Sequence, residues 1–128
     1  MANELKIFGS MAFSKGDANE TRDYGPLTID VAGEEYIKQW QTAPSNAGSA
    51  TALNLGSVTT PGYLFVKNLD ATNGVDFFPS DPGDGASDAG VPNVPPGGIG
   101  LWFANNAIPY IRCDAAATAI IEYFLVEA

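Results

Sequence analysis

Of the groups that carry most enzymatic chemistry, this chain of 128 residues has no histidine and a single cysteine. Without histidine the usual neutral-pH base is missing. The serine and cysteine nucleophile systems and the commonest zinc ligand go with it. Cys113 ends an apolar run beside Asp114, the setting of a buried structural thiol rather than of a nucleophile. One cysteine can form neither an intrachain disulfide nor a cysteine cage for zinc. Glycoside hydrolysis needs two carboxylates flanking a sugar. Fifteen acidic residues guarantee chance pairs, but sequence spacing singles out none, and solvated surface charge is the plainer reading.

Asp76, Asp81, Asp84 and Asp88 sit in or beside a glycine-rich stretch and could gather oxygens around calcium, although their spacing is not that of an EF-hand loop. Gly83, Gly85 and Gly90 are interleaved with aspartates that would repel a phosphate, so no phosphate cradle is present. No catalytic residue, metal or cofactor is expected. What remains is aromatic. Trp40, Trp102, Tyr36, Tyr63 and Tyr110 could stack on a sugar or meet a protein partner. Each lies within a strand-like run, which favours core or subunit contact. Phe8, Trp40, Tyr63, Phe65, Trp102 and Tyr110 are the candidate interface residues.

The elements that must position these side chains read as strands, because short alternating apolar runs recur between clusters of Gly, Pro, Asn and Asp. Leu5, Ile7, Met11 and Phe13 fall on one face, with Gly9 as a possible bulge. Residues 16–26 read as a polar loop, followed by a short strand through Leu27, Ile29 and Val31. A further strand over residues 36–41 places Tyr36 and Trp40 together, and a short one is expected over 52–55. From Pro61-Gly62 onward Leu64, Val66 and Asn68 point one way and Tyr63, Phe65 and Lys67 the other. Both faces are largely apolar, as in a central strand. Residues 70–74 are expected to turn the chain so that 75–78 pairs back on that strand. Residues 79–98, dense in proline and glycine, cannot make a ladder and form a long loop or arm. Three more strands are expected over 99–103, 108–113 and 119–126, the last buried on both faces. About nine strands at this spacing predict an all-β fold, an antiparallel β-sandwich or jelly roll with long loops, as a single domain over residues 1–128.

A formal charge of −9 disfavours phosphate backbones and anionic lipid as partners, so neither nucleic acid nor membrane is expected. The opening residues lack the basic start and apolar run of a secretory signal, and cytoplasmic assembly is expected.

The stretch from Thr60 to Asn73, with Gly62, Lys67-Asn68-Leu69-Asp70 and Ala71-Thr72-Asn73, resembles a pattern in small virion proteins of tailed bacteriophages. Gly33 to Tyr36, Gln39, Gln41, Leu55 to Val58 and the closing Ala115 to Glu127 are similar to neighbouring strands of that family. The resemblance carries no catalytic group. It implies a capsid cement or decoration protein on the virion surface, a homo-oligomer (dimer or trimer) that clamps the phage major capsid protein. The chain departs from that pattern by its insertion at 79–98, a candidate contact arm, and its composition gives long flexible segments at residues 1–4, 14–26 and 79–98. The alternative is a carbohydrate- or receptor-binding module of a tail or baseplate.

Overall fold

A computed structural model describes residues 5–128; the flexible segment expected at 1–4 lies outside the described residues. The chain forms two compact units, one ending at Ala32 and the other running from Gly33 to Ala128. All regular structure among the described residues is β.

The first unit is a hairpin of β1 (Leu5–Lys15) and β2 (Ala18–Ile29). Lys15 pairs with Ala18 across a two-residue turn, and Gly16 takes φ +61° there, a value that glycine reaches without strain. The polar loop expected at 16–26 is therefore a strand for most of its length. Its residues alternate too weakly to announce one, and β1 supplies the ladder that holds them. The register shifts between Ile7 and Gly9, but the bulge expected at Gly9 is not there. The extra residue belongs to β2, around the cis Gly25–Pro26 bond. Directly paired residues share a face. Leu5, Ile7, Met11 and Phe13 thus join Ile29, Leu27, Tyr24, Arg22 and Glu20 on one side.

The second unit is an antiparallel β-sandwich. One sheet orders β3 (Tyr36–Ala43), β10 (Ala119–Glu127), β5 (Pro61–Asn68) and β8 (Ile99–Phe103) side by side. The other orders β4 (Thr51–Ala52), β9 (Tyr110–Cys113), β6 (Val75–Phe78) and β7 (Asn93–Val94). The pairing is nested: first strand with last, β4 with β9, β5 with β8, and β6 with β7. The expected hairpin of residues 61–68 with 75–78 does not form. Asp70–Gly74 instead carries the chain from one sheet to the other. The Asp70 carboxylate accepts the backbone N–H groups of Thr72 and Asn73 at 2.7 and 2.6 Å, and the Asn68 amide donates to the carbonyls of Asn73 and Val94 at 2.8 and 3.1 Å. These bonds hold that loop between the sheets.

The core lies between them. Leu64, Val66, Ile121, Tyr123 and Leu125 from one sheet meet Val75, Phe77, Ile111 and Cys113 from the other, all essentially inaccessible to water. Cys113 is the buried cysteine that its apolar run implied. Tyr123 reaches across the core to donate its hydroxyl to the carbonyl of Asn54, and burial pushes its phenol up to about 12. At the open end, Glu127 accepts hydrogen bonds from the Thr59 hydroxyl at 2.6 Å and the Thr59 N–H at 3.0 Å, which draw its carboxyl down to about 2.

Candidate interaction surface

The side of the β3-β10-β5-β8 sheet that turns away from the core is the candidate site. Alternation decides which residues reach it. Residues 121, 123 and 125 of β10 enter the core, so Ile120, Glu122, Phe124 and Val126 point outward. The ladder then fixes two complete cross-strand rows. Trp40, Glu122, Lys67 and Ile99 stand side by side, as do Lys38, Phe124, Phe65 and Leu101; beyond them Tyr36 pairs with Val126 and Tyr63 with Phe103, on either side of a register shift between β10 and β5. Tyr36, Trp40, Ile99, Leu101, Phe103 and Ile120 are exposed by 45% or more, and Phe65 and Phe124 by 39% and 36%. The Tyr36 and Phe124 rings approach to 5.9 Å and the Tyr63 and Phe103 rings to 5.0 Å, two ring pairs on a largely apolar face.

Its charges are few and mutually placed: Lys38 lies 4.0 Å from Glu122, which also faces Lys67 in register. Shallow depressions run along the face, one between Phe65, Phe124 and Lys38, another beside Trp40 and Glu122, a third between Trp40, Leu69 and Ile120. None encloses a small molecule as ligand pockets do. Monomeric soluble proteins seldom expose apolar area on this scale, and where they do it is a place of contact.

Of the residues singled out from the sequence, Trp40 and Phe65 lie on this face, with Tyr63 half-buried at its margin. Trp102 does not. It is paired with Leu64 on the core side of the sheet, lies over Gly100, where a Cβ would meet the indole at 2.5 Å, and packs edge-on against Phe77 at 4.9 Å. Tyr110 belongs to β9 of the other sheet, and Phe8 to the hairpin, where it is 76% exposed. The two tryptophans thus sit on opposite faces and form no shared sugar platform. Tyr36, placed beside Trp40 by its spacing, lies here too, and Phe124, Leu101 and Phe103 complete the face without having been singled out. Their signal was present in the sequence, as alternating runs in which both sets are apolar.

The outward side of the second sheet is closed. Asp76 and Arg112 oppose each other in register and are 3% and 4% exposed, because residues from the 79–92 loop cover them. Arg112 donates to the Ala86 carbonyl at 3.0 Å and lies 5.1 Å from the centre of the Phe78 ring. Asn93 donates to Asp76 at 2.8 Å, and the Phe77 N–H to the Pro92 carbonyl at 2.9 Å. Burial pushes the Asp76 carboxyl above its usual range. Asp84 accepts from the Ser49 hydroxyl and Asp81 from the Gly83 N–H. Among the described residues no three carboxylate or thiol side chains are placed to share a metal ion. The strand expected to be buried on both faces, β10, is buried on one. Ile120 and Phe124 remain partly exposed.

Compared with family models, curated protein sequences and solved structures, the chain matches none of them.

Proposed function

We propose that this protein is a structural component of a tailed-phage particle, a cement or decoration protein that oligomerises and clamps neighbouring capsid subunits without performing chemistry. The observation that carries this reading is the aromatic outer face of the β3-β10-β5-β8 sheet. It is too flat to hold a small substrate, and it is rich in the Trp, Tyr and Phe that anchor protein interfaces. The nested strand pairing supports a jelly roll, an architecture used by viral capsid proteins as well as by lectins and cupins, so the fold alone favours no single role among these. The net charge of −9 points the contact toward protein rather than nucleic acid.

Co-sedimentation with phage heads from which the decoration layer has been stripped tests the reading. Saturable binding that is lost in F65S/F124S supports it, and absence of binding by an intact, folded protein overturns it.

Trp40 gives the tail-module alternative its one specific footing. Its exposed ring stands beside Glu122 and Lys38, an aromatic surface flanked by polar groups of the kind that stacks on a sugar ring. Glycan binding abolished by W40A, with no affinity for heads, would select it.

A further inference from the structure

The hairpin has no means of covering its own apolar side. A two-stranded ribbon alone is marginal in water, yet Leu5, Ile7, Met11, Phe13, Tyr24 and Leu27 share one face, and Met11, Phe13, Tyr24 and Leu27 are 55–70% exposed. The sandwich likewise leaves uncovered the face that bears Tyr36, Trp40, Phe65, Leu101 and Phe124. Each chain therefore offers one unsatisfied ribbon and one unsatisfied sheet. We infer that the β1–β2 hairpin of one copy lies across the outer face of the β3-β10-β5-β8 sheet of a second copy, each chain giving and receiving.

Charge, size and geometry each favour this occupant. Residues 5–32 carry three cations and four acids, a net −1, whereas residues 33–128 carry three and ten, a net −7. Packing sandwich on sandwich would bring two strongly acidic bodies together, and hairpin on sandwich avoids that. Near the turn the hairpin face also bears Arg22 and Glu20, opposite Met11 and Phe13, and the receiving face bears Glu122, Lys38 and Lys67, so both signs can be matched in the contact. Interface residues bury roughly 30–40 Å² each, so twelve hairpin residues and as many sheet residues would bury about 800 Å². Two reciprocal contacts reach about 1,600 Å², the size of a standard stable interface. At about 3.4 Å per residue an eleven-residue strand runs about 37 Å, enough to cross the receiving strands. When two copies exchange hairpins reciprocally about a two-fold axis, both contacts lie within one closed dimer and no free site is left for further growth.

This inference rests on the homo-oligomeric part of the proposed function. Native mass spectrometry of the full chain is expected to show a discrete oligomer of the 13.4 kDa subunit. M11E/L27E on the hairpin and F65E/F124E on the sheet should each shift it to monomer with the β circular dichroism intact. S10E, on the opposite side of the hairpin, should leave the oligomer unchanged. Oxidising an equimolar mixture of two isotopically distinguished variants, M11C and F65C, should give M11C–F65C heterodimers. Cys113 is buried and does not compete. An oligomer indifferent to M11E/L27E, or hairpin-to-hairpin M11C–M11C products in place of mixed ones, overturns the exchange. So does a monomeric M11C/F65C double variant that closes the bond within one chain. An oligomer that assembles as described but ignores phage heads defeats only the virion reading, and a monomer that binds heads defeats only this one.

Discussion

Phe65 of β5 and Phe124 of β10 are directly paired across the ladder, at the centre of a sheet face whose opposite side is the core of the sandwich. The pair belongs to no packing layer inside the sandwich, and the two rings are 39% and 36% exposed. Replacing both by serine removes little that the fold uses. The expected loss of unfolding free energy is about 2 kcal/mol or less, roughly 1 kcal/mol of strand preference for each of the two positions, and equilibrium denaturation in urea measures it. Loss of assembly with only this modest loss of stability is the expected signature. A collapse of stability would mean that the face is covered within the folded unit.

Tyr123 and Asn54 make the converse case, because here a single oxygen atom is the whole difference. Tyr123→Phe keeps the ring in the core but removes the part-buried hydrogen bond to the Asn54 carbonyl, at a cost of about 1 kcal/mol. Leu125→Ala, a few residues along the same inward row, opens a cavity and is expected to cost about 3 kcal/mol. Urea denaturation that ranks the two the other way would refute the core described above.

How far the sequence reveals this architecture depends on the range over which each signal acts. Alternation is local, so the two faces of residues 63–68 were legible, as was the shared side of Tyr36 and Trp40. Alternation does not say which of two apolar sets is the inner one. In Ile99–Phe103 the core takes Gly100 and Trp102 and leaves Ile99, Leu101 and Phe103 outside, which only pairing with Leu64 decides. Partner choice is longer-ranged still. Asp70–Gly74 has the chemistry of a turn, but nothing within it tells a hairpin from a crossing between sheets. Residues 18–24 form a strand because β1 pairs with them, not because their own pattern demands one. The burial of Asp76 and Arg112 was invisible because residues 26 positions from Arg112 supply the cover.

Arg112 ties that cover down. Its guanidinium bonds to the Ala86 carbonyl and rests on Phe78, so Arg112→Ala frees the segment from Pro79 to Pro92 and leaves that carbonyl unmatched. Limited proteolysis should then cut within residues 80–90 at least tenfold faster than in the parent protein. Lysine is expected to restore protection only in part, since it lacks the planar fork that both bonds and stacks. Equal cutting rates in parent and alanine variant would show that the loop is held by other means.

Two carboxylates give the protein opposing responses to acid. Glu127, drawn down to about 2 by the hydroxyl and N–H of Thr59, favours folding fully above the ordinary carboxylate value near 4.5. That contribution is lost as pH falls from about 4.5 toward 2, because protonation then costs the folded state more than the unfolded. Asp76, pushed up by burial, acts in reverse: its contribution to folding is greatest at low pH and is lost as pH rises through its elevated value. Glu127→Gln should therefore flatten the acid limb of a plot of melting temperature against pH, and Asp76→Asn should raise stability at neutral pH, where the buried charge is no longer carried. The double variant should lose both slopes. A Glu127→Gln variant whose melting temperature still falls as steeply between pH 4.5 and 2 would show that the Thr59 contact does not set the acid stability of the sandwich.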